Sequence, residues 1–170
     1  MVVALIAWLI AAFSSPEQQE PLQPVPSTMP PPAAEAPPAI DIHAPGRTSD
    51  LLFDWSQDIG NATDISGQAV RAYANAALIA AESWPACNLT WNTLAGIGWV
   101  ETRHGTYTGR FHNSVLDPNG YPDPRIIGPR LDGDGFAQVG DTDGGIYDGD
   151  AEFDRAVGPM QFIPESWARY

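Results

Sequence analysis

The stretch Trp91-Asn92-Thr93-Leu94-Ala95-Gly96-Ile97-Gly98-Trp99-Val100-Glu101-Thr102-Arg103-His104-Gly105 decides how this chain is read. Thr90 is a suitable N-cap, and Gly105 stands where a left-handed C-terminal cap falls, so a helix of about three turns is predicted. Trp91, Leu94, Ile97 with Gly98, and Glu101 recur at three- and four-residue steps, which sets them along one face. The apolar stripe therefore ends in a carboxylate. On a buried face Glu101 loses hydration, and near the negative end of the helix dipole its charged form is disfavoured again. Both effects keep a proton available, as a general acid requires. The same spacing admits a plainer arrangement, with Glu101 turned outward or paired with Arg103 as a structural ion pair.

Upstream, Val70, Tyr73 with Ala74, Ala77 with Leu78, and Ala81 predict an amphipathic helix over residues 67–82, capped by Ser66 and closed before Pro85. Its expected role is to pack against the Glu101 helix, with Tyr73 in the core. Leu51, Leu52, Phe53 and Trp55 suggest a short docking turn within residues 50–58.

Downstream, residues 117–154 read as a long loop rich in Gly, Pro and Asp, with nine acidic side chains between Asp123 and Asp154. Counted from Asp141, Asp143 and Glu152 fall at the third and twelfth positions of a calcium loop. Gly145 and Ile146 then occupy the places of an oxygen ligand and of the turn glycine, so the match is poor. A solvated loop bordering a cleft is the simpler expectation, with no cofactor required. None of the histidines His43, His104 and His112 has zinc spacing to another. Asn61-Ala62-Thr63 and Asn88-Leu89-Thr90 match the glycosylation acceptor pattern.

Two separated segments carry a resemblance. Val100-Glu101-Thr102-Arg103-His104-Gly105 resembles the catalytic-glutamate motif of the lytic murein transglycosylase B family, which cuts peptidoglycan glycan strands. Ala156-Val157-Gly158-Pro159-Met160-Gln161-Phe162-Ile163-Pro164 resembles that family's next signature, a turn leading into a helix. The likeness covers residues 65–170. It implies a lysozyme-like fold, mainly α with an α+β character, in which a small helical domain carries the acidic loop. It also implies cleavage of the MurNAc–GlcNAc bond by a single glutamate, Glu101, leaving 1,6-anhydro-MurNAc ends. Gln161 is then the cleft glutamine that hydrogen-bonds sugar, and Met160 and Phe162 shape the cleft. The partner is peptidoglycan and the protein a monomer. The family's domain continues past the equivalent of Tyr170, so the resemblance implies that this chain holds the first part of it. Glu165 stands where the family most often has a small hydroxyl residue. Cys87 is the single cysteine, and the resemblance implies a partner further downstream, a buried free thiol being the alternative. Two other functions fit the same residues. A hydrolytic muramidase needs a second carboxylate, for which Asp141 or Asp143 is available. A glycan-binding or defective fragment needs none.

The flanks set the context. Residues 1–15 are an apolar run with a small-residue zone, too short for the roughly 20 residues of a membrane span, and match a signal peptide or short anchor. Residues 16–49 read as a linker: ten of the seventeen prolines fall within residues 16–45, without apolar periodicity. The domain then occupies residues 50–170, and the protein is exported, to the cell envelope or beyond. A net charge of −13, with eight arginines and no lysine, leaves no basic patch for nucleic acid.

Overall fold

The computed structural model describes residues 33–107 and 113–169. The apolar N-terminal run, the first half of the proline-rich stretch and His112 lie outside the described residues. A 3-10 turn, Thr48–Leu52, runs directly into helix α1, Phe53–Thr63. Helix α2, Gly67–Ser83, follows, then a 3-10 turn, Pro85–Cys87, and helix α3, Trp91–Thr102. Four short strands come next: β1 Val115–Leu116, β2 Pro122–Asp123, β3 Ile127–Arg130 and β4 Arg155–Val157. Helix α4, Pro164–Arg169, ends the described part. The strands form two antiparallel pairs, β1 with β2 and β3 with β4, so the fold is a small mixed α+β one.

Helix α2 is the central element, as its apolar period predicts. Ser66 Oγ accepts the N–H of Ala69 at 3.3 Å, and Ala69, Val70, Tyr73, Ala74, Ala77 and Ala80 are buried. The alanines matter because they let neighbouring backbones come close: α1 and α3 both pack on α2. Leu52, Tyr73, Trp91 and Ala95 complete the core, with Ile40, Trp55, Ile59 and Ile65 at its margin. Each large side chain buried there contributes about 1.5–3 kcal/mol. Trp55 meets Trp91 edge to face, centroids 5.5 Å apart.

Two expectations about the first half need correction. Within residues 50–58 a short turn is present only as far as Leu52, which is buried in the core; from Phe53 the chain is an eleven-residue helix. Its inward face is hard to read because one buried member is Ser56, whose hydroxyl is satisfied by donating 2.7 Å to the carbonyl of Phe53. Nor is the proline-rich stretch a free spacer throughout. The indole N–H of Trp91 donates to the carbonyl of Glu35 at 2.9 Å, Ile40 packs on the core, and the His43 ring lies 2.8 Å from a Glu82 carboxylate oxygen. Extended, proline-restricted backbone costs little entropy to dock, and the core offers it apolar surface. Cys87, in its 3-10 turn, is exposed rather than buried.

The acidic stretch is folded by its own carboxylates. Asp117 accepts the N–H groups of Asn119 and Tyr121, each at 2.8 Å, and so closes the β1–β2 hairpin. Asp141 accepts from Asp143, Gly144 and Gly145, while Asp143 accepts from Gly145 and Tyr147. Glycines at positive φ, Gly144 at 69° and Gly145 at 70°, let successive N–H groups converge on one carboxylate. Asp150 lies between Arg130 and Arg155, 2.9 and 2.8 Å away. Burial pushes its pKa up, but hydrogen bonds from Arg155, from the Phe153 and Glu152 N–H groups and from Arg130 outweigh that and hold it at about 2. The expected irregular loop thus contains β2, β3 and a carboxylate-braced turn system. Among the described residues no helix is long and apolar enough to cross a membrane.

Candidate functional site

Helix α3 begins and runs where its sequence predicts, with Thr90 at the N-cap position, but its buried face is rotated by one residue. Trp91, Ala95, Gly98 and Thr102 are buried, whereas Leu94 is half-buried and Ile97 and Glu101 are exposed. The stripe expected to end at Glu101 ends instead at Thr102. The reason is steric. Only glycine at 98 admits Tyr73: a Cβ there would lie 2.1 Å from the Tyr73 hydroxyl and 3.3 Å from the Met160 sulfur. The helix turns Ala95 and Gly98 inward to meet α2, and Glu101 moves to the solvent side.

The burial invoked for Glu101 is therefore absent. The ion pair with Arg103 is absent too: among the described residues Glu101 makes no salt bridge. What is present is a free carboxyl group on a firmly held helix end. The N–H of Arg103 donates to Trp99 O at 3.0 Å and that of His104 to Gly98 O at 2.8 Å. The cap begins at Arg103, earlier than expected, since Arg103, His104 and Gly105 all have positive φ, at 51°, 61° and 81°.

The two segments that carry the family resemblance meet at this helix end. Thr102 Oγ1 donates to the carbonyl of Pro159 at 2.7 Å and accepts the N–H of Gly105 at 2.8 Å. Gly105 sits so near Pro159 that a Cβ there would lie 3.0 Å from its ring. On the other side the Tyr73 hydroxyl lies 3.2 Å from His104 Nδ1. Burial pushes the Tyr73 phenol up to about 12 and lowers the pKa of His104. The phenol keeps its proton, and the hydroxyl and the ring nitrogen share one hydrogen bond whose donor is set by the His104 tautomer.

Met160 and Phe162 line a cleft of about 740 Å³, together with Tyr73, Leu94, His104 and Pro159. Its walls are largely apolar. Phe162 is half exposed and meets Trp167 edge to face at 6.3 Å. Gln161 faces elsewhere: its amide Nε2 donates to the Gly158 carbonyl at 2.9 Å, in a turn where Gln161 itself has φ 51°. Glu101 does not line this cleft.

The calcium candidates regroup. Asp141 and Asp143 each bring an oxygen within 4.8 Å of Asp154, whereas Glu152 is drawn away to Arg130. Asp154 is fully buried and accepts both the N–H and the hydroxyl of Thr142, at 2.9 and 2.8 Å. These three carboxylates are the ones placed to hold a cation, though their hydrogen bonds already account for their arrangement.

Sequence reasoning missed Thr102, the Tyr73–His104 pair and the exposed Trp99. No local pattern marks the Thr102–Pro159 bond, which joins residues 57 apart. The signal for Tyr73 was Gly98 itself, a costly residue inside a helix unless another group needs its space. Compared with known proteins, the chain matches no family model, no curated protein and no solved structure.

Proposed function

We propose that this chain carries the catalytic segment of a peptidoglycan lytic transglycosylase, exported to the cell envelope or beyond, with a lysozyme-like arrangement of α2 and α3. The observation that carries the reading is the Thr102–Pro159 hydrogen bond, which joins the two resembling segments and fixes the helix turn bearing Glu101. Glu101 is the acid. Its proton passes to the glycosidic oxygen as the bond from that oxygen to the muramyl C1 breaks. The C6 hydroxyl of the same sugar then attacks C1 and returns its proton to the Glu101 carboxylate, closing the 1,6-anhydro ring. Water is not consumed. A glycan laid over the exposed helix end excludes water from the bond that breaks. Met160 and Phe162 offer apolar surface beside the helix, and Gln161 shapes the turn between them. The protein acts as a monomer and needs no cofactor.

Purified cell walls test this. Anhydro-ended fragments, one water lighter than hydrolysed ones, are expected from the full chain and not from Glu101→Gln. Hydrolysed ends would replace this reading with a muramidase. A second reading, glycan binding without cleavage, is favoured by the exposure of Glu101. It predicts equal inertness of both proteins with retained binding to the wall.

A further inference from the structure

Seven of the eight arginines are described, all but Arg110. Six of them are committed to oxygen. Arg71 donates to Pro118 O and faces Asp50, Arg130 and Arg155 share Asp150, and Arg169 pairs with Glu165. Arg47 and Arg125 donate to the carbonyls of Asn119 and Tyr147. Arg103 differs from all of these. Among the described residues its side chain makes no hydrogen bond and no ion pair. Its guanidinium lies 5.7 Å from the Trp99 ring centroid and 5.4 Å from that of Tyr107.

The guanidinium carbon thus lies over two rings, and its N–H groups have no partner among the described residues. Such a fork is matched to a carboxylate, which accepts two parallel hydrogen bonds. The chain's net charge of −13 strengthens the point. An anion meets repulsion over most of this surface, so a local unpaired cation decides where it settles. Trp99 is 57% and Tyr107 42% exposed, which leaves aromatic surface for a sugar face. Helical geometry puts Trp99 and Glu101 on opposite edges of the exposed side of α3, either side of Val100, which is 80% exposed.

We infer that Trp99, Arg103 and Tyr107 form a subsite for a carboxylate carried by a saccharide, which crosses the exposed end of α3 and brings its linkage to Glu101. The inference rests on the reading of Glu101 as a glycan-cleaving acid. The carboxylate has two sources in a cell-wall strand, the lactyl ether of a peptide-free muramyl residue and the peptide attached there.

Equilibrium binding to the full chain carrying Glu101→Gln separates them. Three ligands are compared at low salt: peptide-free glycan strands, peptide-bearing strands, and chitin oligosaccharides, which have no carboxylate. Adding Arg103→Gln lowers affinity for a carboxylate-bearing ligand about tenfold and leaves chitin binding unchanged. Loss confined to peptide-free strands identifies the lactyl group, and loss confined to peptide-bearing strands identifies the peptide. Arg103→Lys restores only part of the affinity, because an ammonium lacks the fork. Equal loss for all three ligands, no loss for any, or no binding to any overturns the subsite. Absence of anhydro ends from the protein with Glu101 intact, with the Arg103 discrimination kept, sinks the transglycosylase reading and leaves the subsite standing.

Discussion

Thr102 donates a 2.7 Å hydrogen bond to the carbonyl of Pro159, and this one contact joins the last turn of α3 to the turn that precedes α4. The hydroxyl serves twice, since it also accepts the N–H of Gly105, and Thr102 is only 2% exposed. Thr102→Val keeps the shape and removes both bonds, leaving a carbonyl and an N–H without partners. We expect a loss of about 1–3 kcal/mol in stability, measured by urea unfolding. Thr102→Ser retains most of it. Wall cleavage falls with Thr102→Val even where the protein stays folded, because the neighbouring Glu101 loses its fixed seat.

Gly98→Ala tests the close approach of α2 and α3. Alanine improves helix propensity by roughly 1 kcal/mol, yet its Cβ meets the Tyr73 hydroxyl at 2.1 Å. Steric conflict wins, at a net cost of about 1–3 kcal/mol by thermal or urea unfolding. Adding Tyr73→Phe recovers part of the loss, since the ring carbon beneath the hydroxyl is still only 2.8 Å away. A stabilised Gly98→Ala protein would show that the two helices have room to spare.

Glu101→Gln separates function from stability. The side chain is exposed and has no ion pair among the described residues, so the unfolding midpoint stays where it is. Release of anhydro-ended fragments stops. A substantial drop in midpoint would point instead to a structural role for this carboxylate.

Acid should lower the stability of the protein over two separable pH ranges. Burial lowers the pKa of His104, so the unfolded chain binds that proton first. The stability it contributes is whole above about pH 6.5 and is lost as pH falls through the lower folded value. His104→Gln removes this step from a plot of unfolding midpoint against pH. Asp150 acts later: with its folded pKa at about 2, its contribution is whole above about pH 4 and disappears as pH falls through 2. Asp150→Asn abolishes the second step and lowers stability at neutral pH, because Arg130 and Arg155 lose their shared anion.

Local pattern was enough for α2 and α3. Their apolar period, the Ser66 cap and the Thr90 boundary are properties of neighbouring residues, and the backbone obeys them. Pattern failed where burial depended on a distant partner. Ser56 reads as polar but faces inward once its hydroxyl finds the Phe53 carbonyl. The proline-rich approach reads as a spacer, yet Glu35 is held by an indole 56 residues away. The acidic stretch reads as loop because each Asp alone is solvated. Only when two arginines converge on Asp150, and N–H groups on Asp141, does it become structure.

The chain's linear order by itself determined that α2 and α3 are helical, where they begin, and that an acidic side chain falls in the last turn of α3. Tertiary structure decided which side of that helix is buried, and it chose Thr102 over Glu101. Helical periodicity gives a face only to within about one residue, or 100° of rotation. The final angle brings Gly98, and not the equally small Gly96, against the Tyr73 hydroxyl, where a Cβ would lie 2.1 Å away.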